Sequence, residues 1–285
     1  MRMLMALMLL STPALAQQVW TPAPVPTVSP TGVAPADRAG NGGSEGAGPV
    51  SGTPFGNWEK SGASVQLADA RLLIPFVPQT FYACGLNYAG HVHEVAAKIG
   101  QPTVLPPNPD VGYRANNSLI AQNEAIVIPK DATEKVQYEG ELVVVIGRQA
   151  KHLTRENALD CVLGYTIGND VSERSWQKSD RTLWRAKNTD TFAPMGPWIE
   201  TDVDLAKLVT TIRLNGRELI QFATNDMIFG VVDFLVAMTR YLTLVPGDMI
   251  WMGTEGATKN MQHGDVCEVE ISGIGTLRSP VVRET

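Results

Sequence analysis

The stretch YEGELVVVIG, residues 138–147, decides both the expected fold and the expected chemistry of this chain. Its run of valines indicates a buried strand, in which side chains alternate between two faces. Glu139 and Glu141 therefore project from one face, with attachment points about 7 Å apart, and Val143 and Val145 continue that face. Carboxylates beside apolar groups are costly to bury, and bound Mg²⁺, Mn²⁺ or Ca²⁺ would relieve that cost. The alternative from this segment alone is an edge strand with two solvated glutamates.

A third carboxylate follows in GYTIGNDVSERSWQ, residues 164–177. Asp170 comes directly after an apolar strand, where a short acidic side chain can complete a site on a rigid scaffold. Arg174 and Gln177 follow at i+4 and i+7, and they share a face with Asp170 if the segment is helical. Taken alone, this segment favours Asp170 as a helix N-cap and Arg174 as a solvated side chain.

Two other segments carry residues suited to catalysis. In HVHE, His91 and Glu94 lie one helical turn apart, and a carboxylate that orients a histidine makes a general base near neutral pH. A surface ion pair is the alternative, and His93 is expected to be structural. Lys187, in WRAKNTDTFAPMGPW, could point into a cleft and stabilise an enolate or oxyanion. Its alternative is a surface lysine with its charge in water.

The charge and the N-terminus limit the expected partners and location. A net charge of −6 over 285 residues argues against a nucleic acid partner. Residues 1–16 are predicted to be a signal peptide, because Arg2 precedes a short apolar run and Ala14-Leu15-Ala16 matches a cleavage pattern. We expect cleavage after Ala16 and a periplasmic or secreted protein. The apolar run is shorter than the roughly 20 residues that span a membrane, so no stable membrane insertion is expected.

Three regions follow from composition. Residues 1–16 form the signal peptide, residues 17–60 a disordered linker, and residues 61–285 the folded domain, with its core at 81–285. The linker prediction rests on seven prolines and eight glycines among residues 17–57. Cys84, Cys161 and Cys267 lie in apolar stretches whose spacing matches no zinc motif, so we expect buried free thiols.

Hydrophobic periodicity predicts many strands and few helices. Helices are predicted at residues 91–99, 155–162 and 226–241, and Asn215-Gly216 predicts a hairpin turn. Strands are predicted at residues 65–76, 80–84, 125–128, 138–146, 164–169, 245–251, 266–271 and 275–282. The expected fold class is α+β with a β-rich core.

Five segments, in order, resemble the fumarylacetoacetate hydrolase family over residues 81–285. They are GLNYAGHVHE, YEGELVVVIG, ENALDCVLGYTIGNDVSERSWQ, WRAKNTDTFAPMGPWI, and LVPGDMIWMGT with HGDVCEVEISGIGTLRSPV. The resemblance implies a β-rich roll of mixed sheets that is usually dimeric, so we expect a homodimer. It also implies that a catalytic divalent ion, Mg²⁺ or else Mn²⁺ or Ca²⁺, is held by Glu139, Glu141 and Asp170.

The resemblance also implies roles around the ion, which would chelate the 2-oxo and carboxylate oxygens of a small 2-oxo acid. His91, oriented by Glu94, would activate water from a mobile lid, and Lys187 would stabilise the oxyanion or enolate. The residues that the resemblance assigns to substrate binding are Arg174, Gln177 and Thr254. The implied reaction is hydrolysis of a C–C bond in an acylpyruvate-like or diketo acid, with the enolate of pyruvate as leaving group.

Departures from the family pattern cluster near the expected pocket. Glu173 and Ser175 stand where the family often has Ala and Asp, Arg114 stands at a usual lysine, and Glu255 replaces the usual proline after Thr254. These changes bear on the substrate rather than the metal. The alternatives are decarboxylation, hydration or isomerisation of a 2-oxo acid, or a non-catalytic exported module that binds such acids.

Overall fold

The computed structural model describes residues 71–285 continuously. It also describes residues 46–47, 50–52, 55–56, 58–60 and 65–66. The predicted signal peptide and most of the predicted linker lie outside the described residues. The parts of residues 46–66 that the structure describes include short strands that pair only with one another.

Strands dominate the described chain. In chain order they are β1 (Gly46–Ala47), β2 (Val50–Gly52), β3 (Trp58–Lys60), β4 (Val65–Gln66), β5 (Phe81–Cys84), β6 (Val111–Tyr113), β7 (Leu119–Ile120), β8 (Ile126–Ile128), β9 (Val136–Gln137), β10 (Gly140–Ile146), β11 (Val162–Asn169), β12 (Ser172–Glu173), β13 (Ala193–Glu200), β14 (Val209–Leu214), β15 (Arg217–Ala223), β16 (Met249–Trp251), β17 (Val266–Ile271) and β18 (Gly275–Arg283). The α-helices are α1 (Ala89–Ile99), α2 (Arg174–Gln177) and α3 (Val231–Thr239).

Two mixed sheets form the body of the fold. The first has seven strands in the order β6-β5-β16-β10-β11-β13-β7, and the second has five in the order β15-β14-β17-β18-β8. Most neighbours are antiparallel, but β16 runs parallel to β5, β13 to β7 and β18 to β8. The α+β class with a β-rich core is therefore confirmed.

Strand β10 lies at the centre of the seven-stranded sheet and shows how the core is divided. Leu142, Val144 and Ile146 belong to the large core that the two sheets share. Val143 and Val145 point the opposite way, into a second apolar cluster that includes Phe81 and Trp251. Because alternate side chains face alternate sides, Glu139 and Glu141 lie on the side of the second cluster, away from the five-stranded sheet.

Three sequence predictions of secondary structure are wrong in extent. Among the described residues of the predicted strand at 65–76, only those of β4 form a strand, and residues 71–76 do not. Pro75 lacks the backbone N–H that a paired strand needs, and Phe76 instead packs on the second apolar cluster. The predicted helix at 155–162 is only a 3₁₀ turn, Ala158–Cys161, and the helix predicted at 226–241 is the shorter α3, which begins after Gly230.

Two other predictions can be compared with the described residues. Cys84, Cys161 and Cys267 are all buried and free, as predicted. No helix among the residues that the structure describes is both long enough and apolar enough to cross a membrane.

Candidate metal and catalytic site

Three carboxylates meet at one end of the β10–β11 pair. Glu139 directly precedes β10, Glu141 lies within it, and Asp170 directly follows β11. The antiparallel register places Gly140 opposite Asn169 and so brings the three side chains together. One oxygen from each lies within 4.8 Å of the others. All three residues are buried, so the alternative of two solvated glutamates on an edge strand is wrong.

Backbone hydrogen bonds fix Asp170 beside Glu139. The Asp170 N–H donates to the Glu139 carbonyl at 2.8 Å, and the Glu139 N–H donates to Oδ1 of Asn169 at 2.9 Å. Asp170 does not cap a helix. Helix α2 is capped instead by Glu173, whose side chain accepts from the Trp176 N–H. Asp170 also lies outside α2, so it does not share a helical face with Arg174.

Three cationic side chains surround these carboxylates. Lys187 Nζ lies 2.5 Å from Glu139 Oε2 and 2.6 Å from Asp170 Oδ2. Arg174 Nη2 lies 2.6 Å from Glu139 Oε1. Arg114 approaches Asp170 with Nη2 at 2.9 Å and Nε at 3.3 Å. Lys187 is buried, so its interpretation as a surface lysine is wrong.

The two glutamates have opposite electrostatic environments. Burial alone would raise the pKa of Glu139, but Arg174 and Lys187 lower it overall. Burial raises the pKa of Glu141 well above its usual value, and Asp170 and Glu139 raise it further. Glu141 does accept a hydrogen bond, from the Gly253 N–H at 2.8 Å. A divalent cation would offset the repulsion among these carboxylates, and an all-oxygen donor set fits Mg²⁺ or Mn²⁺.

The Arg174 guanidinium is held on several sides. Its Nε donates to Gln137 Oε1 at 2.8 Å, and its Nη1 donates to Gln177 Oε1 at 3.0 Å. Gln137 in turn donates from Nε2 to Asn260 Oδ1 at 2.8 Å. Gln137 was not predicted from the sequence, although it lies two residues before Glu139 and the same strand alternation could have identified it. The contact of Arg114 with Asp170 was not predicted either.

His91 and Glu94 lie on α1 beside this centre. The distance from His91 Nδ1 to Glu94 Oε2 is 3.8 Å, and Glu94 Oε1 lies 2.6 Å from Lys98 Nζ. His91 Nδ1 is buried and has no hydrogen-bond partner. Burial lowers the pKa of His91; Glu139 opposes this effect and Arg174 reinforces it. The side chain is therefore a neutral base near pH 7, and it senses the charges of the carboxylate centre.

A tight turn at residues 253–256 joins the carboxylates to His91. Gly253 and Gly256 have positive φ values of 85° and 117°, which favour glycine. Gly253 contacts Glu141 as described above, and a Cβ atom on Gly256 would lie 2.8 Å from His91 Nδ1. Between them, Thr254 is buried and its Oγ1 accepts from the Gly256 N–H at 3.4 Å. The turn therefore connects the carboxylates to the histidine, with one glycine beside each.

The structure thus brings eight of the nine predicted site residues into one connected set. Hydrogen bonds or ion pairs connect Glu139, Asp170, Lys187, Arg174 and Gln177. Glu141 belongs to the set through the carboxylate cluster itself. His91 and Glu94 lie 3.8 Å apart and pack against Gly256, in the same turn whose Gly253 donates to Glu141. Thr254 lies in the same turn, but its hydroxyl group is bonded within the turn rather than to another site residue.

Comparison with known proteins agrees with this arrangement. Residues 80–282 match the family described as fumarylacetoacetate (FAA) hydrolase C-terminal. The 2-hydroxyhepta-2,4-diene-1,7-dioate isomerase from Mycobacterium marinum is 39% identical, with a TM-score of 0.75, and the match covers 85% of this chain and 89% of that one. The oxaloacetate tautomerase Fahd2a of Rattus norvegicus is 32% identical over 72% of this chain and 67% of its own length.

A more distant structural relative carries a metal and a small oxo acid. The maleylpyruvate hydrolase from Sphingobium sp. SYK-6, in complex with manganese(II) and pyruvate, is 26% identical. Its TM-score is 0.65, and the match covers 78% of this chain and 78% of that one. These three relatives are named as an isomerase, a tautomerase and a hydrolase, and their names refer to small oxo or hydroxy acids.

Proposed function

Because the chain belongs to the fumarylacetoacetate hydrolase family, we propose that it is a divalent-metal-dependent hydrolase that cleaves a C–C bond in a small acylpyruvate-like 2-oxo acid. One observation carries the proposal. A buried cluster of three carboxylates, which fits a hard cation, lies beside a histidine whose pKa is lowered. A metal centre and a neutral general base in one site are what hydrolysis of an activated carbonyl compound requires.

Glu139, Glu141 and Asp170 would hold Mg²⁺ or Mn²⁺, which supplies Lewis-acid polarisation of the 2-oxo group. Glu94 lies on the Nδ1 side of His91, which favours a proton on Nδ1 and leaves Nε2 to accept one from water. The resulting hydroxide attacks the carbonyl carbon distal to the pyruvate unit. Lys187 and Arg174 supply positive charge where the oxyanion and the departing enolate develop.

The direct test is release of pyruvate from acylpyruvates by metal-loaded protein. We expect turnover with Mg²⁺ or Mn²⁺ and its loss in chelator. His91→Ala should abolish most turnover, and the matched control is His93→Ala on the same helix, because His93 contacts Thr103 rather than the carboxylates. Metal-loaded protein that is inactive on acylpyruvates but decarboxylates oxaloacetate would overturn the hydrolase assignment.

Isomerisation or tautomerisation of a 2-oxo acid is the second candidate. The observation that favours it is the higher identity to the mycobacterial isomerase, 39%, than to the maleylpyruvate hydrolase, 26%. In that reaction His91 would move a proton between substrate carbons instead of activating water. Exchange of solvent deuterium into oxaloacetate without pyruvate release would identify it. Tight binding of 2-oxo acids without any turnover would indicate a non-catalytic binding module.

Export and dimerisation are separate parts of the proposal. Arg2, the apolar run and Ala14-Leu15-Ala16 support cleavage after Ala16 and a periplasmic or secreted mature chain. Mass spectrometry of the N-terminus after cell fractionation tests this. Light scattering of the mature protein tests the homodimer that the family resemblance implies.

A further inference from the structure

The Glu255 side chain lies against the start of α1. Its Oε1 is 1.7 Å from the position that a Cβ atom on Gly90 would occupy. The absence of a side chain at Gly90 therefore lets the carboxylate group take this position, and a Cβ atom there would displace the flexible end of the Glu255 side chain. Gly90 directly precedes His91, so Glu255 contacts the helix at the residue next to the proposed base.

Glu255 also belongs to the turn that joins the carboxylates to His91. It is the third residue of the turn at 253–256, whose first residue donates to Glu141 and whose last lies against His91. A 2-oxo acid that is bound at the carboxylate centre and reacts at His91 would lie beside this turn. The end of the acid beyond the reacting carbon would then be close to Glu255.

The charge of Glu255 is not compensated by an ion pair among the described residues. Burial raises its pKa, and Asp226 and Glu94 raise it further, which shows that its charged neighbours are acidic. The nearby Lys98 is already paired with Glu94. The local field in this part of the site is negative, in contrast to the cationic side chains around Glu139 and Asp170.

We propose that Glu255 is a specificity-determining residue that disfavours 2-oxo acids ending in a second carboxylate and selects acids with an uncharged distal end. This inference rests on the proposed function, because it assumes that the head of a 2-oxo acid binds at the carboxylate centre. A second carboxylate would meet the uncompensated negative charge of Glu255, and the nearby Lys98 is already paired with Glu94. A methyl or other uncharged end meets no such penalty.

The test compares two acids of equal chain length, 2-oxopentanoate and 2-oxoglutarate, which differ in the charge of the distal end. Their binding to the Mn²⁺-loaded mature protein is measured by titration calorimetry at pH 8. The parent should bind 2-oxopentanoate at least about tenfold more tightly. Glu255→Gln should reduce this ratio at least about fivefold. Glu218→Gln, which removes the same charge from exposed strand β15, should leave the ratio unchanged.

The outcomes separate this inference from the proposed function. Equal binding of both acids, or a ratio that Glu255→Gln does not change, overturns the inference alone. Failure of both acids to bind the metal-loaded protein overturns the inference together with the assumed binding mode. Pyruvate release from acylpyruvates, measured on the same sample, decides the proposed reaction independently. Thermal unfolding of Glu255→Gln shows whether the variant is folded, and a folded variant with the parental ratio counts against the inference.

Discussion

Replacing Glu141 with glutamine is expected to stabilise the metal-free protein while it weakens metal binding. Glu141 is buried, and the hydrogen bond that it accepts from the Gly253 N–H can also be accepted by the glutamine carbonyl. The substitution removes one negative charge beside Glu139 and Asp170, and it keeps the shape of the side chain. The two effects therefore have opposite signs, which a general loss of packing would not produce.

The distances set the size of the first effect. Two unit charges separated by the 4.8 Å limit of the carboxylate cluster repel by about 3 kcal/mol at an effective dielectric constant near 20. Lys187, which contacts both Glu139 and Asp170, cancels much of this repulsion. We expect a net gain of about 1–2 kcal/mol, or about 2–8 °C in Tm for a domain of this size.

The second effect follows from the loss of one of three carboxylate ligands. Metal at about 100 times its Kd stabilises the parent by about 2.7 kcal/mol, and affinity should fall at least about 100-fold in the variant. Thermal unfolding in chelator and in Mn²⁺ measures both effects, with Glu218→Gln as the charge control. The reasoning is refuted if Glu141→Gln melts below the parent in chelator and keeps the full Mn²⁺ shift.

Three further predictions concern the base, its surroundings and the sheet. His91→Ala should lower kcat about 10²–10⁴-fold in steady-state assays and keep the Mn²⁺-induced Tm shift; loss of that shift would contradict a purely catalytic role. Gln137→Leu removes the acceptor of the Arg174 Nε–H. The KM should therefore rise about tenfold, with a smaller change in kcat. An unchanged KM would show that Gln137 does not position Arg174 for substrate binding. In Gly168→Ala the new Cβ would lie 2.6 Å from the Trp251 ring. Denaturant titration should therefore show that the free energy of unfolding falls by about 1–3 kcal/mol. An unfolding midpoint equal to that of the parent would show that the Trp251 ring moves aside at no cost.

The local sequence predicted the arrangement of site residues correctly where it depends only on the alternation of side chains along one strand. Alternation along β10 predicts that Glu139 and Glu141 share a face with Val143 and Val145, and the structure has all four buried on that side of the strand. The predicted strand at 65–76 was too long, since residues 71–76 are not a strand and Pro75 lacks the N–H group that strand pairing needs.

The third carboxylate could not be placed from its own segment. The residues around Asp170 favour a helix cap, and only the register of β10 with β11 brings it to Glu139. Resemblance to a family supplied that non-local information. Arg114 was expected near the pocket, but its contact with Asp170 was not predicted, because that contact joins segments 56 residues apart and no local pattern encodes it.

The residues of the site lie on different secondary-structure elements. Glu139, Glu141 and Asp170 lie on or directly beside two paired strands at the centre of a sheet, whereas His91 belongs to α1 and Glu255 to the turn at 253–256. Apart from Gly253, which donates to Glu141, positions in the helix and the turn can therefore change without disturbing the strands that carry the carboxylates. Related proteins can therefore change the acid that they bind through substitutions in two short segments, while the three carboxylates that would hold the metal stay the same.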